Sequence, residues 1–162
     1  MDIFSAYTSQ NKEEMLRSLS FELFKKGYVK DSFVDGVLHR ERTNPTGLQV
    51  EDLINIAIPH TDIDNVNHPT IVVIKKSDHT DFIFNRLDEP TEEIPVQVVF
   101  LLVVKEPNGY VDFLADLTGL FQESAFIDLL LSSSPEQICQ TLVEKLSQYQ
   151  LSYRGDLTEG QL

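Results

Sequence analysis

The sequence predicts a single α/β domain in which a mixed β-sheet has helices on both faces. The chain has 162 residues, of which 41% are hydrophobic, and a chain of this size buries one sizeable core. Two helical patterns come first, a series of strand patterns follows, and three further helical patterns come last, an order that covers one sheet from both sides. We expect the domain to span residues 1–150. Residues 151–162 have little apolar content and are expected to form a flexible tail.

The first helical pattern opens at the polar residues 11–14 and carries an apolar stripe at helical spacing. The stripe consists of Met15, Leu16, Leu19, Leu23 and Phe24. Gly27 follows it and predicts a left-handed cap, because glycine adopts positive φ at little cost.

A second helix is predicted from Asp31, a residue type that caps helix N-termini. Its buried face comprises Phe33, Val34, Val37 and Leu38. Arg40, Glu41 and Arg42 then fall at its C-terminal end, where positive charge complements the helix dipole. Residues 44–47 predict a turn, because Pro45 fixes one central dihedral angle and Gly47 permits positive φ.

Strand patterns occupy the middle of the chain. Residues 54–58 run into Pro59, which lacks an N–H and favours an extended conformation at the preceding residue, so this strand ends there. Further strands are predicted at 70–74 and 81–84. Residues 94–104 contain the most continuous apolar run, which indicates a central strand covered on both faces.

Three helices are predicted in the last third of the chain. The first begins at Asn108 or Gly109, and a shorter one covers residues 125–131. Ser134 begins the third as an N-cap, followed by a proline at the first helical position and by Gln137, which can reach back to the cap. The apolar positions at spacings of three and four are Phe113, Leu114, Leu117, Leu120 and Phe121 in the first helix, and Ile138, Leu142, Val143 and Leu146 in the third.

Composition excludes several classes of function. The 13 basic and 26 acidic residues give a net charge of −13, which disfavours nucleic acid and anionic membrane surfaces. No apolar run is long enough to span a bilayer, and no secretory signal is visible. Cys139 is the only cysteine, so it cannot form an internal disulfide and is predicted to be a small core residue. These observations favour a cytoplasmic location.

The candidate functional residue is His60, which directly follows Pro59 at the end of a predicted strand. Ligands of α/β sheets usually bind at the carboxyl ends of strands, where loops converge. Three other histidines, His39, His68 and His79, are interpreted as surface residues. The acidic and histidine residues at positions 60, 62, 64 and 68 lie in a polar loop without fixed ligand geometry, so no metal site is predicted.

Four motifs in this order resemble a known family. They read VLHRE at 37–41, PTG at 45–47, IAIPH at 56–60 and VVFLLVVKEP at 98–107. Together they are similar to the enzyme IIA domains of the fructose and mannitol type (EIIA type 2) from the bacterial phosphoenolpyruvate-dependent sugar phosphotransferase system, with galactitol-specific members as the closest match.

The resemblance implies that His60 accepts a phosphoryl group from the histidine-containing phosphocarrier protein (HPr). It then passes this group to a cysteine of a cognate IIB component, which serves a membrane IIC permease. A neutral imidazole suits this role, with Nε2 attacking and Nδ1 held by a backbone carbonyl or a nearby side chain. No cofactor is needed, because the phosphate arrives covalently attached.

Arg40 matches the family arginine that lies near the phosphohistidine, and its guanidinium can hold two phosphate oxygens. Thr46, Gly47 and Thr61 are weaker candidates for hydroxyl or N–H donors.

One position departs from the mannitol and fructose pattern, because Tyr110 stands where those relatives carry a second histidine. Tyr110 itself or a residue near His68 is the candidate to replace it. Two functions therefore stay open: a phosphocarrier for uptake of a sugar or sugar alcohol, and a regulatory module of the nitrogen-related type whose phosphorylation controls protein binding.

Overall fold

The computed structural model describes residues 1–105 and 107–158, without the side chains of residues 107–110. This part of the chain contains eight strands and five α-helices. In chain order they are β1 (Asp2–Thr8), α1 (Lys12–Lys25), α2 (Phe33–Thr43), β2 (Gly47–Val50), β3 (Ile54–Ala57), β4 (Thr70–Lys76), β5 (Phe82–Asn85), β6 (Glu93–Val96), β7 (Val98–Val103), α3 (Pro107–Leu120), α4 (Ser124–Ser132), α5 (Pro135–Lys145) and β8 (Ser152–Asp156).

Six of the strands form one mixed sheet in the order β2-β3-β7-β4-β1-β8, and β5 pairs with β6 in a separate two-stranded sheet. The pairs β3–β7, β1–β4 and β1–β8 are parallel, whereas β2–β3 and β4–β7 are antiparallel. The ends of β3 and β7 therefore lie at the same edge of the sheet as the beginnings of β1, β4 and β8. The predicted mixed sheet is confirmed.

The sheet separates two apolar clusters, and β7 contributes to both of them. Phe100 and Leu102 pack with helices α3, α4 and α5 on one face, whereas Leu101 and Val103 pack with α1, α2 and the two-stranded sheet on the other. All six residues of β7 are buried, as the continuous apolar run predicts. Burying one such side chain contributes about 1.5 to 3 kcal/mol, so both helical layers are held on the sheet.

Local capping signals in the sequence are found in the structure. Asn11 and Ser134 each form a capping box with the residue three positions later. Gly27 has φ of 85°, and the N–H of Tyr28 donates to the carbonyl of Leu23 over 3.0 Å, which closes α1 with a Schellman motif. The second helix begins one residue later than predicted, with Ser32 rather than Asp31 at its N-cap. Phe24, placed in the buried stripe of α1, is instead 44% exposed.

The prediction of a flexible tail from residue 151 is wrong for β8. This strand pairs in parallel with β1, and Arg154 Nε donates to Asp2 Oδ1 over 2.9 Å. Leu157, just beyond the strand, is fully buried. A polar edge strand of this kind is held by backbone pairing and a few side-chain contacts, so its composition resembles that of a loop. Residues 159–162 lie outside the described residues.

The single strand predicted at residues 94–104 also needs correction. Residues 94–104 form two strands rather than one, because the chain leaves the small sheet after β6 and enters the main sheet as β7. Gln97 lies where the chain changes sheet. Its N–H donates to Asn55 O over 3.1 Å, and its side-chain Oε1 accepts from the Asn55 N–H over 2.8 Å.

Strands β1 and β2 were not predicted. Both faces of β1 are covered, so it lacks the alternation typical of half-buried strands.

Gly47 is required for close approach and not for positive φ. The glycines with positive φ among the described residues are Gly27 and Gly155. A Cβ atom on Gly47 would lie 2.6 Å from the carbonyl oxygen of Asn85 and 3.2 Å from Ile94 Cδ1. This contact joins the small sheet to the start of β2.

We expect Gly47→Ala to lower the free energy of unfolding by about 1 to 3 kcal/mol, because the backbone at Asn85 must move to accommodate the methyl group. Gly119→Ala is the matched control, since no atom lies within 4 Å of its added Cβ and alanine favours the helix by up to about 1 kcal/mol. Urea unfolding of both variants tests this prediction. Equal stability of the two variants would contradict it.

Candidate functional site

His60 lies just beyond the end of β3, at the edge of the sheet where β7 also ends. Pro59 has no N–H, but its carbonyl accepts a hydrogen bond from Leu102 N over 3.0 Å. This bond anchors the chain to β7 one residue before the imidazole. The backbone of His60 is therefore fixed by the central sheet.

The ring of His60 has a defined orientation. Nδ1 is 3.0 Å from the carbonyl oxygen of Ile58. A carbonyl only accepts hydrogen bonds, so Nδ1 carries the hydrogen and the lone pair of the neutral ring is on Nε2. Partial burial and, to a lesser extent, the positive charge of Arg40 lower the pKa of His60 below its usual 6.5, although the Ile58 hydrogen bond and Asp62 oppose this shift. The imidazole is thus predominantly neutral at pH 7.

Arg40 comes from the last turn of α2 and lies beside His60. Its Nη1 is 3.6 Å from Asp62 Oδ1 in a pair whose side chains are 41% and 78% exposed. An exposed pair of this kind contributes little stability. Arg40 Nε is buried and has no hydrogen-bond partner among the described residues. The side chain as a whole is partly exposed and lines the same cleft as His60, so its terminal N–H groups are the donors that an anionic group in front of His60 can use.

The two side chains share a cleft with a volume of about 480 Å³. Its lining consists of Arg40, His60, Thr61, Asp62, Ile63, Asp64 and Val104. A cleft with an imidazole, a guanidinium and a partly apolar wall can accommodate a phosphoryl group and stabilise its negative charge.

A hydrogen-bond chain behind His60 was not foreseen from the sequence. Glu41 is 5% exposed and accepts from Thr46 at both carboxylate oxygens, from N–H at 2.9 Å and from Oγ1 at 2.9 Å. Thr46 Oγ1 in turn accepts from Ile58 N over 3.1 Å, and the Ile58 carbonyl accepts from His60. The buried carboxylate is thereby connected to the phosphoacceptor candidate.

The three weaker candidates for donors to a phosphoryl group, Thr46, Gly47 and Thr61, lie in different environments. Thr46 N–H and Oγ1 both donate to Glu41, so the suggestion that Thr46 donates to a phosphoryl group is wrong. Gly47 begins β2 and pairs with Ala57, away from the cleft lining. Thr61 does line the cleft, and its Oγ1 accepts from Asn65 Nδ2 over 3.2 Å.

Gly36 on α2 permits the close packing of the loop after His60. A Cβ on Gly36 would lie 2.5 Å from Thr61 Oγ1 and 2.9 Å from Asn65 Nδ2. The sequence motifs did not indicate a role at the site for Gly36 or Glu41. Glu41 follows Val37 by four residues and Leu38 by three, so helical spacing places its side chain on the buried face of α2. That spacing is the signal for a buried carboxylate.

The remaining histidines are surface residues, as predicted. His39, His68 and His79 are exposed, and the ring of His68 makes an edge contact with Tyr28 at 6.3 Å between centroids. In residues 1–105 and 107–158 no three His, Cys, Asp or Glu side chains are arranged to hold a metal ion. Cys139 is buried and its Sγ donates to Phe4 O, which confirms the prediction of a core residue. The side chain of Tyr110, the candidate replacement for a second histidine, lies outside the described residues.

The buried carboxylate predicts a pH-dependent stability. Burial raises the pKa of Glu41 from 4.5 to about 7, although the Thr46 hydrogen bonds oppose the shift. Between these values the folded chain binds a proton that the unfolded chain does not, so this contribution to stability is complete below pH 4.5 and is lost as the pH rises through 7. We expect Glu41→Gln to remove this decline relative to the wild type.

Urea unfolding at a series of pH values from 4.5 to 8 measures the difference between Glu41→Gln and the wild type. Glu144→Gln, at an exposed position on α5, is the matched control and should leave the pH profile unchanged. Parallel profiles for Glu41→Gln and the wild type would contradict the prediction.

None of the helices formed by the described residues is long and apolar enough to cross a membrane.

Comparison with known proteins agrees with the four sequence motifs. Residues 2–145 match the family model for the phosphoenolpyruvate-dependent sugar phosphotransferase system, EIIA 2. The chain is 24% identical over 128 residues to the galactitol-specific EIIA component of the phosphotransferase system of Escherichia coli (strain K12), covering 79% of this chain and 83% of that protein.

Solved structures with the same fold include two from Escherichia coli. Enzyme IIAMTL in complex with phosphorylated enzyme IIBMTL is 23% identical, with a TM-score of 0.63 over 90% of this chain and 94% of that one. The crystal structure of IIA mannitol is 24% identical, with a TM-score of 0.61 over 86% of this chain and 94% of that one.

The family match extends over most of the chain and includes every motif in which the resemblance was first seen. The chain therefore belongs to the EIIA 2 family of the phosphoenolpyruvate-dependent sugar phosphotransferase system.

Proposed function

We propose that this protein is a phosphocarrier that accepts a phosphoryl group on His60 from HPr and donates it to a cysteine of a IIB component. The observation that carries the proposal is the Nδ1 to Ile58 carbonyl hydrogen bond of 3.0 Å. It directs the lone pair of the ring to Nε2. Family membership supports the assignment to sugar transport.

In the first step, the Nε2 lone pair attacks the phosphorus atom of the donor's phosphohistidine. The new N–P bond forms as the donor N–P bond breaks, and the donor imidazole leaves with that electron pair. The hydrogen stays on Nδ1 throughout and is donated to the Ile58 carbonyl. In the second step, a thiolate attacks the same phosphorus, and Nε2 recovers its lone pair. Each transfer is in line and requires positioning and charge stabilisation rather than an added covalent intermediate.

Arg40 stabilises the phosphoryl group in both steps. Its side chain is 41% exposed and lines the cleft beside His60, so its terminal N–H groups can donate to a phosphoryl group there. Charge on the equatorial oxygens of a phosphoryl group is stabilised by such donors when water is excluded. The same positive charge helps to keep His60 neutral, which favours attack.

We also propose which protein accepts the phosphoryl group and which kind of compound is transported. Relatives at 24% identity are named galactitol-specific, so we propose a galactitol-like sugar alcohol as the transported compound. A structural neighbour is a complex with phosphorylated enzyme IIBMTL, which supports a IIB component as the acceptor and, through it, a membrane IIC permease.

The experiment follows the phosphoryl group from donor to acceptor. The protein is incubated with phosphoenolpyruvate, enzyme I and HPr, purified, and then mixed with IIB domains of galactitol, mannitol and fructose type. We expect acid-labile, base-stable phosphate on the protein, and its loss within seconds to the galactitol-type domain. Retention of phosphate with every IIB domain would contradict the carrier role and favour the regulatory alternative.

A further inference from the structure

A chain of hydrogen bonds runs from Glu41 through Thr46 and Ile58 to Nδ1 of His60. Glu41 accepts both polar hydrogens of Thr46, from N–H and from Oγ1. The single hydroxyl hydrogen of Thr46 is therefore committed to the carboxylate. A lone pair of Thr46 Oγ1 accepts the Ile58 N–H. Every donor in the series is matched with one acceptor.

Ile58 is the residue through which this series reaches the imidazole. It lies just beyond the end of β3, and its N–H donates to the Thr46 hydroxyl over 3.1 Å. Pro59, the next residue, has its carbonyl fixed to β7. The backbone of Ile58 is thus held on both sides, and its own carbonyl is the acceptor for His60 Nδ1.

We propose that Glu41 and Thr46 are positioning residues for phosphoryl transfer, which fix the tautomer and orientation of His60 through the backbone of Ile58. This inference rests on the proposed function of His60. Neither residue touches the reacting atoms. Their effect is to hold the Ile58 carbonyl where only the Nδ1–H tautomer can bond to it, so that Nε2 is the nitrogen presented to the donor.

Helix α2 contributes to both sides of the site through adjacent residues. Arg40 lines the cleft, whereas the side chain of Glu41 is buried. A shift of this helix end would therefore move the guanidinium and the anchor of the imidazole together. Small misplacements of reacting groups are costly in transfer reactions, so the position of this helix end affects both the guanidinium and the orientation of the imidazole.

The test compares Thr46→Val, which keeps the shape but lacks the hydroxyl, with Thr46→Ser, which restores it. The ring ¹⁵N chemical shifts of His60 give the tautomer populations in the unphosphorylated protein. Single-turnover phosphorylation by phosphorylated HPr gives the maximal rate and the half-saturating donor concentration.

We expect Thr46→Val to populate the Nε2–H tautomer and to slow the maximal rate by roughly tenfold or more, with little change in half-saturation, because Thr46 does not contact the donor. Thr46→Ser should restore both. A folded Thr46→Val protein with the wild-type tautomer and rate would overturn the proposal. If Thr46→Val does not fold, Glu41→Gln takes its place, and an unchanged tautomer and rate in that variant would overturn it equally.

The two proposals are separable in this experiment. If the wild-type protein takes up no phosphate, the proposed function fails. The ¹⁵N measurement does not require phosphorylation, so it still decides whether Thr46 and Glu41 set the tautomer.

Discussion

Replacing His60 by glutamine should reduce phosphoryl uptake from HPr to the background level while the protein stays folded. Glutamine is close in size to histidine and keeps an amide donor near the Ile58 carbonyl, the partner of Nδ1 at 3.0 Å, so we expect the local backbone to be preserved. It has no nucleophilic lone pair, because the amide nitrogen is delocalised into its carbonyl. Intact-mass measurement after incubation with phosphoenolpyruvate, enzyme I and HPr gives the phosphorylated fraction directly.

The matched control for this prediction is His68→Gln. His68 is exposed and lies just before β4, which begins at the same sheet edge, but it is not part of the cleft lining. We expect this variant to be phosphorylated at the wild-type rate. Equal phosphorylation of the His60→Gln and wild-type proteins would show that another residue is the acceptor.

Arg40→Lys should slow phosphoryl transfer by about 10² to 10³-fold, the usual effect of removing one preorganised donor from an anionic transition state. Lysine keeps the positive charge but loses the planar fork of N–H donors that can hold two phosphate oxygens at once. Since the side chain of Arg40 is 41% exposed and its pair with Asp62 spans 3.6 Å, the substitution should have little effect on stability. Rapid-quench measurements of transfer in both directions test the prediction.

Arg42→Lys is the appropriate control, because Arg42 is in the same helical turn and donates to Glu13 over 3.1 Å at the surface. Its transfer rate should equal that of the wild type. If Arg40→Lys and Arg42→Lys have the same rate, the guanidinium of Arg40 does not stabilise the phosphoryl group.

The parts of the fold predicted correctly depend on short-range signals. The capping box at Ser134, the glycine cap of α1 and the strand end before Pro59 are determined by residues within a few positions of one another. The position of His60 at the sheet edge follows from the same local argument. Such features need no knowledge of the partners that the chain meets in space.

The missed features depend on distant partners. Strand β8 is polar, and its pairing with β1 joins residues about 150 positions apart. Thr46 looks like a turn residue in the sequence, but its hydroxyl accepts from an N–H twelve positions later. Gly47 suggests a turn with positive φ, whereas the structure requires it for contact with Asn85.

The most direct test of this account identifies the phosphorylated atom. Long-range ¹H–¹⁵N correlation spectra of the ¹⁵N-labelled protein, recorded before and after phosphorylation, assign the ring nitrogen that bears phosphorus. We expect phosphorus on Nε2 of His60, with the hydrogen on Nδ1 still donated to the Ile58 carbonyl. Phosphorus on Nδ1, or an unchanged His60 spectrum in a fully phosphorylated protein, would contradict it.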